Sequence, residues 1–344
     1  MNQLTLDNLE AVALGAAVLG SGGGGNPFEK VPMIIYHLKK YGPVDIVSLD
    51  MLTEHDLVVP LTFMGAPLVS LEKISTSREL ETLLMTVEKS LGKKATALVT
   101  AEIGGANSLT PFLVAGKLGL PVVDADMIGR AFPQLQMSSC YLAGMNPAPA
   151  FQSDGLGNTL MFNVSDPNLL EEFARATTVV MGSHSAVAFY ILNGPQAAKG
   201  LIHGSLSQAY NIGTSLMKEK KIPNGKCLAQ GMLVDNDQRV QDGFLIGTAT
   251  LLTDSGSKIV IHYQNEYLAA TNGNTLLACT PDIIVLFDEI GCKPITSESL
   301  RYGLQLSLIK VPAPAIWTTQ KGLSLVGPQA FGYSFNNIIN GALT

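Results

Sequence analysis

The chain has 344 residues, of which 47% are apolar, so it is long enough for two domains with substantial hydrophobic cores. A formal net charge of −6 and the lack of any basic cluster longer than residues 218–221 argue against a nucleic-acid partner. No apolar stretch reaches the roughly 20 residues that a membrane span needs, and no signal-peptide pattern opens the sequence. We therefore expect a cytoplasmic protein without membrane contact. Its four cysteines are scattered, which favours free thiols over disulfides.

The first half of the sequence alternates between helix and strand patterns. A capping-box pattern at residues 7–10 precedes a predicted helix over 11–19, which ends at a glycine run. Four strand patterns, separated by helix patterns and a turn at 64–67, predict a largely parallel sheet. The predicted strands cover residues 44–49, 57–63, 96–100 and 121–124, and the predicted helices cover 79–91 and 111–118.

The second half of the sequence changes to β texture. A helix is predicted over 168–176, a strand over 177–181 and a helix over 203–220. Strand patterns then follow at 231–252, 258–263, 267–270 and 283–287. We therefore predict the α/β class: a mostly parallel N-terminal α/β domain over 1–165 and a β-rich C-terminal domain over 166–310. We expect residues 311–344 to return to the first domain.

The glycine run at residues 20–25 formally matches GxGxxG, but the segment before it is typical of a helix rather than a strand. No Gly-Lys-Ser/Thr sequence follows, so we expect no nucleotide cofactor. Two interpretations remain open: a helix C-cap with a turn, or backbone N–H groups that hold a carbonyl or anionic oxygen. On the second interpretation Gly23, Gly24 and Asn26 bind substrate.

Two acids and an arginine follow a predicted strand. Asp124 and Asp126 flank one residue, so on an extended chain both side chains face the same side. One hypothesis makes one of these carboxylates a general base or metal ligand and Arg130 the partner of a substrate carboxylate. The alternative is a structural ion-pair cluster at the edge of the sheet. On the base hypothesis, Asp126→Asn abolishes turnover with little loss of fold.

The preceding strand ends in a polar, glycine-rich segment. Glu102, Gly104 and Asn107 lie in it, and the carboxyl ends of neighbouring strands in an open α/β sheet form ligand sites. The small and polar composition of residues 102–108 favours a loop that contributes to a site. We therefore predict that these three residues bind substrate.

Two histidines are candidates for a general acid. His184 and His203 each lie in a segment of small residues beside hydroxyl groups, although a lone histidine is more often structural. Neither HxH nor HExxH occurs, so local spacing indicates no zinc site. A divalent metal held by ligands distant in sequence stays open.

Other nucleophiles have weaker support. Cys292 would qualify if Lys293 stabilised its thiolate. Ser183 or Ser205 could pair with a neighbouring histidine, but no GxSxG elbow is present.

Several of these segments together resemble the bacterial S-methyl-thiohydantoin desulfurase family, which is associated with hydantoinase/oxoprolinase-type genes. The resemblance covers nearly the whole chain, and its most specific part is the Asp-x-Asp-x-x-Gly-Arg-Ala-Phe-Pro string at 124–133. It implies a two-domain protein and hydrolysis at the ring C2 of a thiohydantoin with release of a thiol. The segments that carry it are 20–27, 60–67, 102–107, 123–133, 300–303 and 327–333.

The leading hypothesis is therefore a hydrolase of a small five-membered cyclic amide or S-methyl-thiohydantoin-like ring. Such a reaction needs a base for water, donors for the developing negative charge and an acid for the leaving group. The alternative hypothesis is a non-catalytic subunit or regulatory partner of a hydantoinase/oxoprolinase-like complex, and a nucleotide-dependent enzyme is a third. From the prevalence of symmetric assemblies we expect a homo-oligomer.

Overall fold

The computed structural model describes residues 1–65, 69, 72, 77–241, 244–334, 338–339 and 342–343. Part of the turn predicted at 64–67 and parts of the tail after 334 lie outside the described residues. The described α-helices are α1 (Leu9–Leu19), α2 (Val31–Tyr41), α3 (Ser77–Leu91), α4 (Phe112–Leu118), α5 (Ser139–Leu142), α6 (Pro167–Val180), α7 (Gly194–Gly200), α8 (Ser205–Glu219) and α9 (Gln320–Val326). Within the described ranges, no helix has the length and apolar character needed to cross a lipid bilayer.

The strands divide into two large sheets and two short pairs. The described strands are β1 (Gln3–Leu4), β2 (Val44–Val47), β3 (Val58–Gly65), β4 (Ala97–Thr100), β5 (Val122–Val123), β6 (Ala125–Asp126), β7 (Ala150–Ser153), β8 (Thr159–Phe162), β9 (His184–Ala188), β10 (Ile202–His203), β11 (Lys226–Gln241), β12 (Phe244–Leu252), β13 (Lys258–Gln264), β14 (Glu266–Asn272), β15 (Thr275–Cys279), β16 (Ile283–Asp288), β17 (Lys293–Ile295), β18 (Gln305–Val311), β19 (Ile338–Ile339) and β20 (Ala342–Leu343).

The N-terminal sheet is mixed, with a parallel centre. Its strand order is β1-β2-β5-β4-β3-β9-β7-β8, and the strands from β2 to β3 in this order pair in parallel. The flanking pairs are antiparallel. Strand β9 follows residue 165 in sequence and lies between β3 and β7. The parallel centre directs the ends of β3, β4 and β5 to one edge, where their following loops meet.

The C-terminal sheet is antiparallel throughout its described strands. Its order is β15-β14-β13-β12-β11-β18-β16-β17, and it begins at Lys226. Short turns join most neighbouring strands, as the turn-rich sequence of this region predicts. A mixed, mostly parallel N-terminal sheet with helices and an antiparallel C-terminal sheet confirm the predicted fold class.

Close packing of two helices fixes the start of the glycine run. Helix α1 crosses α8 at Gly15, where any Cβ would collide with the backbone of Ala209. At the same crossing, a Cβ on Gly213 would collide with the backbone of Ala11. Glycine at these positions therefore lets the two backbones touch, and α1 leads from this contact directly into residues 20–25.

The glycine run joins the two sheets. The Ser21 hydroxyl accepts a hydrogen bond from the backbone of Ile284 at 3.0 Å, and the Ser21 carbonyl accepts one from the Tyr267 amide at 2.6 Å. One residue later, the Gly22 carbonyl accepts from the Ser297 amide at 2.8 Å. Residues 20–25, called the glycine loop below, therefore bond to β14, to β16 and to the segment at Ser297–Ser299.

The chain after β18 packs on the N-terminal layer. Trp317 is fully buried and meets the ring of Phe132 edge to face at 5.3 Å. Its indole N–H donates to the carbonyl of Ile128 at 2.6 Å. Through these contacts, the segment after β18 holds the loop after β6 in place.

Two local predictions were wrong. The capping box at residues 7–10 does not form: α1 begins at Leu9, and Asn8 accepts instead from the Thr5 amide at 2.8 Å. Residues 177–180 of the strand predicted over 177–181 belong to helix α6, where the hydroxyls of Thr177 and Thr178 donate one turn back, at 2.8 and 2.7 Å. These bonds let a β-branched run remain helical.

Candidate functional site

A cavity of about 360 Å³ lies where the ends of β3 and β4 face the C-terminal sheet. Its volume is within the range of small-molecule sites. The glycine loop, the loop after β4 and the loop after β6 form its N-terminal wall. The C-terminal sheet contributes the start of β14 and the segment at Ser297–Ser299.

Glu102 lies at the end of β4 and is buried in the cavity wall. Its Oε2 accepts from the Asn107 amide at 3.1 Å, and its Oε1 accepts from the Phe132 backbone at 3.2 Å. Asn107 also bonds the backbone of Phe63 in both directions, at 3.0 and 3.2 Å, which links this wall to β3. Burial, reinforced by the nearby Glu266 carboxylate, raises the pKa of Glu102 to about 8.

Glu266 enters the cavity from the first residue of β14. Its side chain is 2% exposed, and its Oε2 has no hydrogen-bond partner among the described residues. Burial raises the pKa of Glu266 to about 7, although its own backbone amide, Arg130 and the Gly24 amide oppose that rise. Glu102 and Glu266, called the inner carboxyls below, therefore titrate near neutral pH and interact with each other.

An aromatic stack with an ammonium group forms another wall. The rings of Phe63 and His184 stack with centroids 4.7 Å apart, and the Lys30 ammonium lies 4.7 Å from the Phe63 ring centre. Lys30 also donates to the Thr110 hydroxyl at 2.6 Å. Burial lowers the pKa of Lys30 to about 7, against the opposing effect of Glu29 and Glu102. This wall is suited to a planar ring beside an exchangeable proton.

Besides Glu171, which pairs with Arg175, two further carboxyls line the same cavity. Glu29 is exposed, whereas Glu298 is buried at 6% exposure. Burial and the Glu298 charge raise the pKa of Glu29, and burial raises that of Glu298. We call Glu29 and Glu298 the outer carboxyls.

The predicted substrate-binding glycines have different positions. Gly24 lines the cavity, but Gly23 and Gly104 do not. A Cβ at Gly23 would overlap the Glu266 carboxylate, and one at Gly104 would overlap the backbone of Ala131. Gly23 therefore makes room for an inner carboxyl. The other predicted site residues that line the cavity are Asn26, Glu102, Asn107 and His184.

Asp124 and Asp126 lie outside the cavity lining, which differs from the predicted arrangement. Asp126 is fully buried and accepts from the amides of Ile103, Ile128 and Gly129 at 2.7 to 3.1 Å. The Ser205 hydroxyl adds a fourth bond at 2.6 Å. Three donors converge on Oδ2 and one reaches Oδ1, so the carboxylate holds together the loops after β4 and β6 and the start of α8.

Asp124, two residues before Asp126, bonds the start of the same helix, α8. Its carboxylate accepts from the Ser207 amide at 3.0 Å and from the Ser207 hydroxyl at 2.5 Å. Since Asp126 bonds Ser205, both acids face the N-terminus of α8, as the period of an extended chain predicts. The spacing predicted their shared side, but their partner is a helix rather than a ligand.

Arg130 and His203 also lie outside the cavity lining. The Arg130 guanidinium is fully buried and donates to the carbonyls of Pro281 and Asp282 at 2.5 and 2.8 Å. These contacts join the loop after β6 to the C-terminal sheet, and the Nη2 atom of Arg130 has no hydrogen-bond partner among the described residues. His203 is exposed, and its Nε2 lies 3.1 Å from the carbonyl of Ala198.

The remaining candidates also lie apart from the cavity. Cys292 is an exposed thiol in the region of β17, and the Ser205 hydroxyl is bonded to Asp126. The glycine loop follows helix α1 rather than a strand, so it lacks the arrangement of a Rossmann turn. In the described part of the chain, no three His, Cys, Asp or Glu side chains form a group that could hold a metal ion.

Sequence reasoning missed the cavity residues contributed by the C-terminal half and by the segment after the glycine loop. Glu266 begins an apolar strand, and a charged residue at that position was the only local signal. Lys30 was missed because it precedes a helix that the sequence analysis did not predict. The residues missed are Glu29, Lys30, Glu171, Arg175, Asn265, Glu266 and Glu298.

Comparisons with known proteins cover most of the chain. A family model described as the S-Me-THD-like N-terminal domain matches residues 7–164, and one described as the S-Me-THD-like C-terminal domain matches residues 165–338. An X-ray crystal structure of a protein from Chromobacterium violaceum is similar, with 24% identity and a TM-score of 0.83 over 97% of this chain and 98% of that one. This likeness shows a common fold. No curated protein matches the chain.

Proposed function

Because this chain belongs to the S-Me-THD-like family, whose models match both of its halves, we propose that it hydrolyses an S-methyl-thiohydantoin-like ring and releases a thiol. The observation that carries the proposal is the pair of inner carboxyls in one cavity. With pKa values of about 8 for Glu102 and about 7 for Glu266, Glu102 is mostly protonated and Glu266 partly ionised at neutral pH. One member then acts as acid while the other acts as base.

The base in this proposal is Glu266. Its unpartnered Oε2 is available to accept a proton from water as the water oxygen bonds to ring C2. The C2–S bond then breaks, and the Glu102 carboxyl gives its proton to the departing sulfur. The second water proton moves to the ring nitrogen as C2 becomes a carbonyl. Transfer of a proton from Glu266 to Glu102 restores the pair.

The other walls suit the same ring. The Phe63–His184 stack provides a flat surface for a planar heterocycle. The Lys30 ammonium is positioned to oppose negative charge as sulfur departs. Asn107 holds Glu102 in place through its amide.

A direct test is thiol release from an S-methyl-thiohydantoin by the purified protein, followed with a thiol reagent in the presence and absence of a chelator. We expect stoichiometric formation of thiol and hydantoin. The chelator arm determines whether a metal takes part. A folded protein that releases no thiol from rings of several sizes would contradict the proposal.

The second candidate function is a subunit of a hydantoinase/oxoprolinase-like complex. The filled hydrogen-bond shell of Asp126 favours it, since a structural acidic cluster is what that hypothesis expects. Turnover by the isolated chain separates the two candidates, because a non-catalytic subunit releases no thiol alone.

A further inference from the structure

Helix α6 contributes to the cavity from one flank and to the N-terminal sheet from another. Glu171 and Arg175 pair with each other and line the cavity. On the face that packs on the sheet, the Gln152 amide of β7 donates to the Ala174 carbonyl at 3.0 Å and to the Thr178 hydroxyl at 2.7 Å. The remaining flank of α6 faces solvent.

An apolar line runs along this solvent-facing flank. Its members, called the α6 stripe below, are Leu169, Phe173, Ala176 and Val180, and all four are exposed. Steps of four, three and four residues place them on one side of the helix and match the spacing of a coiled-coil seam. With Val179, α6 has four large exposed apolar side chains, whereas every other described helix has at most two. The stripe is therefore a specific feature of α6.

The edge strand β8 extends the apolar surface beside α6. Leu160 lies opposite Gln152 in the β7–β8 pair, so its side chain is on the face of the sheet that α6 covers. Leu160 is exposed, and β8 is the last strand of the N-terminal sheet. Residues 155–165 contain no charged side chain, although charges are a common means of preventing association at a sheet edge.

The size of this surface fits a stable interface. The exposed parts of the α6 stripe, Val179 and Leu160 amount to roughly 500 Å² of apolar area, and Val180 alone is 87% exposed. With the polar atoms around it, the surface approaches the area of about 800 Å² per partner that a standard interface buries.

The α6 stripe is complementary to itself in an antiparallel pair. A two-fold axis between positions 174 and 175 places Leu169 of one copy against Val180 of the other and Phe173 against Ala176, so the largest side chain meets the smallest. In the same register Glu172 lies opposite Thr177, so the exposed glutamates do not face each other. A second copy of this chain therefore satisfies both the shape and the charge of the stripe.

From these observations we infer that the chain forms a homodimer in which the α6 helices of two copies pack antiparallel along the α6 stripe, beside the exposed Leu160 of each copy. The dimer supports from the outside the helix whose opposite flank supplies Glu171 and Arg175 to the cavity. The inference is independent of the reaction proposed above.

Light scattering coupled to size-exclusion chromatography, over a concentration series of the whole protein, measures the assembly. We expect a wild-type dimer and a rise of at least about a hundredfold in the dimer Kd for Phe173→Glu, because a carboxylate then enters an apolar interface. Phe173 is 45% exposed, so this variant should fold, and circular dichroism checks that it does. Met85→Glu places the same charge at an exposed apolar position of α3 and should leave the dimer intact.

The register has its own test. In Phe173→Glu/Ala176→Lys each new glutamate faces a lysine of the other copy, so the dimer should return. A single charge reversal that cannot be rescued in this way would contradict the antiparallel register.

Three results would overturn the inference. A wild-type protein that is monomeric at about 100 µM has no such dimer, and the stripe would then belong to a different partner. A dimer that Phe173→Glu leaves intact uses another surface. Equal dissociation by Met85→Glu would show that the effect is not specific to α6.

Discussion

Two pairs of acids in this chain differ in the number of hydrogen-bond donors around their carboxylates and in their place in the fold. Asp124 and Asp126 are close in sequence, and the hydrogen bonds of both reach the N-terminus of α8. Glu102 and Glu266 are 164 positions apart by their numbers (266 − 102) and meet in the cavity between the sheets. Asp126 has four donors, whereas one oxygen of Glu266 has none among the described residues. The Asp126 carboxylate holds the backbone around it, whereas Oε2 of Glu266 keeps an unused acceptor in the cavity wall.

The largest expected effect is on catalysis. Glu266→Gln removes the proposed base while it keeps the shape of the side chain, so thiol release should fall by about a thousandfold. The free energy of unfolding should change little, because Oε2 has no partner to lose among the described residues. Steady-state kinetics and urea denaturation measure turnover and stability. The control is Glu81→Gln on α3, outside the cavity, where Glu81 pairs with Lys117; its turnover should stay at the wild-type level. A variant that retains wild-type turnover would remove Glu266 from the mechanism.

Asp126→Asn should show the opposite pattern. An amide nitrogen cannot accept from the ring of donors around Asp126, so we expect the free energy of unfolding to fall by about 3 kcal/mol. Any loss of turnover should be smaller than for Glu266→Gln, which reverses the expectation from the sequence. Urea denaturation tests the stability change. Wild-type stability with abolished turnover would restore Asp126 as the base.

The pH profile of kcat/KM should be bell-shaped, with its maximum between the pKa of Glu266 at about 7 and that of Glu102 at about 8. Below this window Glu266 gains a proton and the base is lost; above it Glu102 loses its proton and the acid is lost. Each limb should approach about a tenfold loss per pH unit. In Glu102→Gln the alkaline limb should disappear with lower activity. A profile that stays flat from pH 5 to about 10 would contradict the roles of Glu266 as base and Glu102 as acid.

The smallest expected effect belongs to Asp124→Asn. The Asp124 carboxylate bonds the first turn of α8 at Ser207, so its replacement should cost about 1 kcal/mol, as for a helix cap. Ser207→Ala in a double-mutant cycle measures their coupling by urea denaturation. Strict additivity of the two substitutions would show that the bond contributes nothing to stability.

The sequence predicted most of the fold because its elements depend on local patterns. Alternating apolar strands and amphipathic helices predicted β3, β4, α3 and α8 within a few residues. It misjudged residues 177–181 because threonine and valine favour strands, while hydroxyl bonds to the preceding turn keep them in α6. The short helix α7 and the exposed edge strand β8 were also not predicted, and both have weak periodic signals.

The sequence predicted residues of the cavity only from its N-terminal wall. Glu102 and Asn107 were found because they follow a strand in a polar loop, and the structure places both in the cavity. Arg130 was assigned to a ligand from its charge; the structure adds its backbone partners and an Nη2 without a partner among the described residues, and its role in binding stays a prediction. Glu266 carried almost no signal, since one charge at the start of an apolar strand is common.

By itself, the sequence determined the two-part architecture, the family and the side on which Asp124 and Asp126 lie, because periodicity and motif spacing are properties of neighbouring residues. Only the tertiary structure decided which acids lie in the cavity with raised pKa values. The glycine loop docks on β14, the missing Cβ of Gly23 leaves space for the Glu266 carboxylate, and burial raises its pKa. The number of hydrogen-bond donors around a carboxylate and the burial of that carboxylate depend on residues that are distant in sequence. No local pattern could therefore have predicted them.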